Sequence, residues 1–358
     1  MNLDDYQNFN QIDKQDMLGH INGLPDQLDR AWKLGHELPL PSWTGIQRVL
    51  VTGMGGSAIG GDLVAAYVEP TSPVPLAVVR DYNLPAWARG AETLVIASSH
   101  SGNTEETLSA YKSASQRGCT RLAVCTGGEL ARLASADQAA GQNVALWVFE
   151  HRGQPRTAVG FSFGLLLSAL ARLGLTPDPT AELHKAITAM RKQQAALAAA
   201  VPVVNNLAKR QAGQLMGRWV AIFGSGILAP VARRWKGQVS ELAKAWAQFE
   251  ALPEADHNTL AGSLYPAEVI PRTLALFLRG AADHPRNALR IAVTKRMLML
   301  DGLSTDFIDA QGVSPLENLW TALHLGDYIA YYLAMLYEVD PTPIAALQNL
   351  KQELAGAA

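Results

Sequence analysis

The sequence predicts an α/β protein with two doubly wound parallel sheets in tandem, each an αβα sandwich. Three observations predict it. Short apolar runs of the kind that make buried strands alternate with segments of helical periodicity along most of the 358 residues. Two of these runs break into turns of small residues that lead straight into helices, at Gly53–Gly61 and Ser98–Thr104. The same plan returns in the second half, where Trp219–Phe223 precedes Gly224-Ser225-Gly226.

Residues 1–40 carry Met17, Ile21, Leu24, Leu28, Trp32 and Leu34 at helical spacing, which predicts a helical arm packed on the first domain. The first domain is expected over 41–180. Its strands are predicted at Arg48–Thr52, Val74–Val79, Thr93–Ala97, Arg121–Cys125 and Val144–Phe149. Helices are predicted at Ala58–Val68, Glu105–Arg117 and around Gly128–Ala134, and Phe161–Leu175 is apolar and helical. Thr176-Pro-Asp-Pro-Thr180 breaks that helix, and an Ala-rich helix from Ala181 to Val201 is read as the bridge, giving a linking segment 181–203. The second domain, 204–358, is expected to hold strands at Trp219–Phe223, Leu274–Leu278 and Ser304–Ile308. Helices are predicted at Val231–Phe249, Arg286–Asp301 and Ser314–Tyr337, with a last one at Ile344–Leu354.

Composition narrows the function. A net charge of −2 with no basic or acidic block gives no support for nucleic-acid or membrane-surface binding. The two cysteines, Cys119 and Cys125, have neither CxxC nor metal-ligand spacing and fit a reduced, cytoplasmic protein. Met1–Asp16 is polar and acidic rather than leader-like, and no run of about eighteen apolar residues exists to span a bilayer.

The glycine-dense stretch RVLVTGMGGSAIGGD, Arg48 to Asp62, places five glycines within nine positions directly after a buried strand. Glycine there is entropically costly, and close approach of backbone amides to a ligand is a physical reason for it. Strand, glycine turn and helix N-terminus together make an anion site. Gly53, Gly55 and Ala58 also satisfy the loose dinucleotide pattern, but that site wants an acidic residue about twenty positions on. Asp81 lies later than that, beside Arg80. The second turn, Ser98-Ser-His-Ser-Gly-Asn-Thr-Glu-Glu-Thr107, adds hydroxyls at Ser99, Ser101 and Thr104. Two such turns on neighbouring strands converge at the carboxyl edge of a sheet and favour a monophosphate; the alternative is two ordinary turns.

GMGGSAIGGD, SxSGNTEET and LHLGDYIAYYLAMLYEVDPTPI, in this order and spacing, resemble the archaeal and bacterial bifunctional phosphoglucose/phosphomannose isomerase family, whose members have two sugar isomerase (SIS) domains. One departure is His100, where the family usually has Tyr. The resemblance implies an aldose–ketose isomerase that interconverts glucose 6-phosphate and mannose 6-phosphate with fructose 6-phosphate through a cis-enediol. Its phosphate anchors would be Gly55, Gly56, Ser57, Ser99, Ser101 and Thr104. It puts an active-site arginine at Arg156, to bind phosphate or to stabilise the enediolate. By residues alone Glu241 is an ordinary helix glutamate and His257 an ordinary loop histidine. Their spacing of sixteen residues matches the family's base and ring-opening histidine, the latter reaching the neighbouring subunit's site in a homodimer. Lys351 is the implied partner in ring-oxygen proton transfer, and Thr342 the threonine linked to accepting both C2 epimers. His284 and His324 are read as structural.

No HExxH or cluster of Cys, His and Glu at ligand spacing occurs, so no metal is expected, and proton transfer by Glu241 calls for no redox cofactor. Two rivals remain. A non-catalytic SIS sugar-phosphate regulator would need no Glu241, His257 or Lys351 and would usually carry a helix-turn-helix, which is not found. An amidotransferase-type synthase requires a glutaminase domain with an N-terminal cysteine, and this sequence begins Met-Asn-Leu.

Overall fold

A computed structural model describes residues 1–356. The first sheet is built from β1 (Arg48–Thr52), β2 (Leu76–Val79), β3 (Thr93–Ser99), β4 (Thr120–Cys125) and β5 (Val144–Val148), all parallel, in the order β2-β1-β3-β4-β5. Every residue of β3 and β4 is buried, as central parallel strands covered on both faces must be. The second sheet is parallel, in the order β7-β6-β8-β9, with β6 at Trp219–Ser225, β7 at Ala247–Leu252, β8 at Thr273–Arg279 and β9 at Ser304–Asp309. The expected fold class is what the chain adopts.

Helices run between and around the strands: α1 (Met17–Asn22), α2 (Leu24–Glu37), α3 (Gly55–Val68), α4 (Glu105–Gln116), α5 (Gly128–Ala139), α6 (Val159–Arg172), α7 (Thr180–Leu197), α8 (Leu207–Leu215), α9 (Ala229–Leu242), α10 (Pro285–Leu300), α11 (Pro315–Leu336) and α12 (Ala345–Gly356). One predicted element is wrong. The helix expected over Val231–Phe249 ends at Leu242, and its last part is strand β7. Lys244 adopts a left-handed backbone (φ 55°) that terminates the helix, and the following segment pairs with β6 from Ala247 opposite Val220. The alanines of this stretch suggested helix, but an unpaired edge of β6 was available, and tertiary pairing overrides propensity.

Helices α6 and α11 form the interior. Residues Val159 through Leu170 of α6 are all buried, and α11 is buried from Leu316 to Met335 except at Glu317. A helix apolar on all sides belongs inside a protein or a membrane; no helix of the described residues is long and apolar enough to cross a membrane. α6 packs on α2 and α3, while α11 packs on α7, α8 and α9. The arm therefore touches both halves and not the first alone. α2 lies on α6, the Ile21 carbonyl meets His324 Nε2 at 2.8 Å, and Tyr328 donates to Asn22 Oδ1 at 2.5 Å.

The buried α11 carries polar residues at every third position, Asn318, Thr321, His324 and Asp327, and each finds a partner. Asn318 bonds the carbonyls of Gln311 and Gly312, and Thr321 those of Gln311 and Glu317. Asp327 takes both arms of the Arg234 guanidinium, at 3.2 and 2.8 Å, with both side chains 4 % exposed. Arg234 also donates to the Arg156 carbonyl at 2.8 Å, so one buried ion pair in the second half fixes a loop of the first.

α3 starts at Gly55, three residues earlier than expected, so the glycines lie within its first turns. Most of them face protein. A Cβ on Gly56 would lie 2.6 Å from the Pro155 carbonyl and 3.2 Å from Arg156 Cα, and one on Gly60 would strike Ser162 of α6. Gly55 differs: its φ is +50° and nothing stands within 4 Å of the missing Cβ. Only this glycine leaves the turn open.

The packing sets two expectations for stability. Asp327→Ala strands a buried guanidinium and should cost about 3–5 kcal/mol in urea unfolding; a loss below about 1 kcal/mol means that the pair is dispensable. Gly56→Ala should cost about 1–3 kcal/mol by overpacking against the Pro155 carbonyl, and unchanged stability would show that the 154–158 loop yields freely.

Candidate active site

The two turns predicted to bind an anion stand side by side at the carboxyl edge of the first sheet, because β1 and β3 are adjacent and parallel. The first-turn amides of α3 at Gly55 and Gly56 have no intrahelical acceptor, as at any helix N-terminus, and the helix dipole adds positive potential. Ser57 is buried and its Oγ accepts the His100 amide at 3.2 Å, tying the turns together while leaving its own proton free. Ser99 is also buried: its hydroxyl pairs with that of Thr104 at 2.9 Å and accepts the Gly102 amide at 3.1 Å. One hydroxyl proton of that pair remains unspent. Ser101 is exposed and accepts the Asn103 amide at 3.2 Å. Gly102, at φ +68°, sits so close to the Gly127 carbonyl that no side chain fits.

The loop after β5 brings Arg156 to the same edge. Its side chain is 3 % exposed and reaches across to the second half, donating to the carbonyls of Pro341 and Thr342. Its Nη1 lies 3.6 Å from Glu241 Oε2, an ion pair of α9 with the first domain's loop. Burial pushes the Arg156 pKa down, Glu241 opposes that, and Arg234 adds to it. Two buried polar atoms here have no partner among the described residues, Arg156 Nε and Thr342 Oγ1. A buried donor without an acceptor costs about 1–3 kcal/mol, which a polar group placed beside it would offset.

Arg156, Glu241 and Thr342 are thus brought together, with the phosphate turns on the same sheet edge. The other two predicted catalytic residues form no hydrogen bond or ion pair with this group among the described residues. His257 ends a short 3₁₀ turn, Glu254–His257, and is exposed. That turn is anchored to α10 through Asp256, which bonds Arg290 at 2.8 Å and Thr294 at 2.7 Å. Lys351 is exposed on α12 and forms no ion pair among the described residues.

Three contributors escaped the sequence reading. Lys244 folds its ammonium back onto the Glu241 carbonyl at 2.5 Å, and burial, reinforced by the nearby Arg156 charge, brings it down to about 8. Its position three residues after Glu241 was visible; the left-handed backbone there was not. Arg234 looked like one of many helix arginines. His151 gave no motif at all, yet its ring nitrogen meets His100 at 3.0 Å.

The second half repeats the turn without the site. Ser225 (φ −129°, ψ 155°) and Gly226 (φ +50°) reproduce the backbone of Met54 (φ −127°, ψ 158°) and Gly55 (φ +50°). Here a carboxylate of the chain itself is the neighbour: Asp283 accepts from Ser225 Oγ at 3.3 Å and from the Gly280 amide at 2.8 Å. Burial raises the Asp283 pKa. Among the described residues no group of three or more His, Cys, Asp or Glu side chains could hold a metal ion.

The fold has solved counterparts. The tagatose-6-phosphate ketose/aldose isomerase of Escherichia coli superposes with a TM-score of 0.70 at 17% identity, covering 91% of this chain and 94% of that one. A hypothetical protein of Thermus thermophilus gives 0.69 at 18% identity, covering 96% and 91%. At these identities the likeness concerns the fold. Residues 204–354 match the bacterial phospho-glucose isomerase C-terminal SIS domain. The bifunctional phosphoglucose/phosphomannose isomerase of Caldicellulosiruptor bescii is 37% identical over 341 residues, 95% of this chain and 99% of that protein. The protein of the same name from Aquifex aeolicus is 32% identical over 86% of this chain and 90% of its own length. With such identity over nearly the whole length of both chains, this protein belongs to the bifunctional phosphoglucose/phosphomannose isomerase family.

Proposed function

We propose that the protein interconverts glucose 6-phosphate and mannose 6-phosphate with fructose 6-phosphate by moving one proton between C1 and C2. The observation that carries this reading is the corner where Glu241, the unpartnered Arg156 Nε and the unpartnered Thr342 Oγ1 meet beside two anion-binding turns. Membership of the family supports the substrate class.

The phosphate would sit on the Gly55 and Gly56 amides and take hydroxyl protons from Ser57, the Ser99–Thr104 pair and Ser101. The sugar then extends towards the second half. The Glu241 carboxylate removes the proton from C2 of an aldose, or from C1 of the ketose, and returns it to the other carbon. Arg156, fixed by the Pro341 and Thr342 carbonyls beside Glu241, stabilises the negative charge on the enediolate oxygens. Its fixed position matters, because a preorganised donor costs no reorganisation as charge develops. Thr342 lines the same corner, where the C2 substituent must rotate for both epimers to be formed.

His257 is exposed and forms no hydrogen bond or ion pair with Glu241 among the described residues, which supports a homodimer in which the partner subunit supplies it for ring opening, with Lys351 in ring-oxygen proton transfer. The division of labour follows the domain plan: arm 1–40, phosphate-binding domain 41–180, linking helix 181–203 and base-bearing domain 204–358. A cytoplasmic location fits the two buried free thiols, Cys119 and Cys125.

The purified protein given fructose 6-phosphate should yield both glucose 6-phosphate and mannose 6-phosphate, and failure to form either product would end this reading. Glu241→Gln, which keeps shape but not basicity, should lower kcat by at least about 10²-fold for both products. Loss of one product alone would mean two different bases.

The shared-site reading has its own test. Inactive His257→Ala and inactive Glu241→Gln subunits, mixed and exchanged, form heterodimers with one site that has both residues intact. With random exchange about half the dimers are mixed, so recovery should approach about a quarter of wild-type activity. Verified exchange without recovery would place His257 outside the neighbouring site.

A further inference from the structure

The family reading gives no role to a chain of imidazoles that joins the second phosphate turn to the Arg156 loop. His100 lies between Ser99 and Ser101 in that turn, and His151 lies five residues before Arg156. His100 Nε2 and His151 Nδ1 are 3.0 Å apart, with the rings nearly perpendicular at 83°. His151 Nε2 faces Thr157 Oγ1 at 3.4 Å, and Thr157 donates its hydroxyl proton to the Gln154 carbonyl at 2.8 Å.

That last bond fixes the direction of the whole chain. With its proton committed, the Thr157 oxygen must accept, so His151 carries its proton on Nε2. Its Nδ1 is then a lone pair, and His100 must donate from Nε2. The order is His100 Nε2–H to His151 Nδ1, His151 Nε2–H to Thr157, and Thr157 to Gln154. The bond between the rings requires a neutral His151, whose Nδ1 must accept. A proton on His151 Nδ1 would set two N–H groups against each other across 3.0 Å.

The surroundings hold the rings neutral. Phe149 and Phe161 pack edge-on against the pair. The titratable groups facing His151 are His100 and, from α1, His20, whose ring centre is 5.7 Å away; no carboxylate is among them. Burial, with both histidines adding, brings His151 down to about 4, and burial also lowers His100. The backbone of His100 is held as well: its amide reaches Ser57 Oγ, and its carbonyl accepts from Thr126 Oγ1 at 2.6 Å.

We propose that His100 and His151 are positioning residues, a neutral latch that holds the Ser99–Thr104 turn against the Arg156 loop so that phosphate and sugar groups are met in one geometry. The inference rests on the isomerase reading for its substrate, and it adds a pair of residues that act on binding rather than on proton transfer.

The test uses two full-length variants. His151→Leu removes acceptor and donor, and should raise the KM for fructose 6-phosphate about five- to tenfold at pH 7.5, the worth of about one hydrogen bond, with kcat within about twofold of wild type. His151→Asn places an oxygen near the Nδ1 position and should restore KM to within about twofold. Equal damage in both variants, or a kcat loss with KM unchanged, overturns the proposal. Two readouts need no turnover. Imidazole ¹⁵N spectra should show His151 as a neutral Nε2–H tautomer from pH 5 to 8, with His100 protonated on Nε2; an Nδ1–H tautomer on His151 sinks the latch. Because the folded His151 binds its proton more weakly than the unfolded chain, wild-type stability relative to His151→Asn should fall as pH drops from about 6.5 towards about 4, and a constant difference would contradict the buried neutral ring. A protein that turns over no hexose 6-phosphate fails as an isomerase, while the spectra and the stability difference still decide the latch.

Discussion

The buried pair between Arg234 and Asp327 is the constraint on which the site depends. Neither charge could remain in the interior alone, since desolvation costs several kcal/mol per ion. The pair holds α9 to α11 within the second half, and the Arg234 Nη2 that bonds Asp327 also donates to the Arg156 carbonyl in the first. Arg156 in turn grips the Pro341 and Thr342 carbonyls. The two guanidiniums form an interlocked clasp, each anchored in one half and bonded to backbone of the other. A buried ion pair is weak evidence of net stability. Here its geometry serves position: it sets where Arg156 and Glu241 stand relative to each other.

The clasp needs a floor, and the polar stripe of α11 provides it. A helix buried all round gains from apolar burial but gives no unique register against its neighbours. Asn318, Thr321, His324 and Asp327 each have specific partners outside the helix, so sliding or rotating it leaves several buried polar groups unpaired. That penalty, about 1–3 kcal/mol for each group, selects one packing of α11 against the arm, α9 and the loop before it. The Ser314 capping box with Glu317 fixes the start of the same helix.

The two halves show one backbone device used in two ways. Met54 and Ser225 have closely similar dihedral angles, Gly55 and Gly226 share a φ of +50°, and both pairs stand at a helix start at the carboxyl end of a strand. In the first half neighbouring hydroxyls and open amides surround the turn. In the second, the hydroxyl of Ser225 is spent on Asp283, a carboxylate of the chain itself. A carboxylate that is covalently present leaves no reason to bind another anion.

What the sequence determined by itself was everything encoded locally. Apolar runs bounded by glycine and small polar residues marked eight of the nine strands, and the two anion turns stood out because glycine after a buried strand demands a cause. Arg156, Glu241 and Thr342 were nameable through long motifs in fixed order. The tertiary structure decided what depends on residues far apart in the chain. β7 could not be seen because its alanines favour helix, and only the free edge of β6 made it a strand. The reasons for Gly56 and Gly60 lie in Pro155 and Ser162, about a hundred residues away, so the same glycines read as ligand contacts when seen alone. Arg234, Lys244 and His151 are common residue types in unremarkable contexts. Their partners give each its meaning, and partnership is not a local property of the chain.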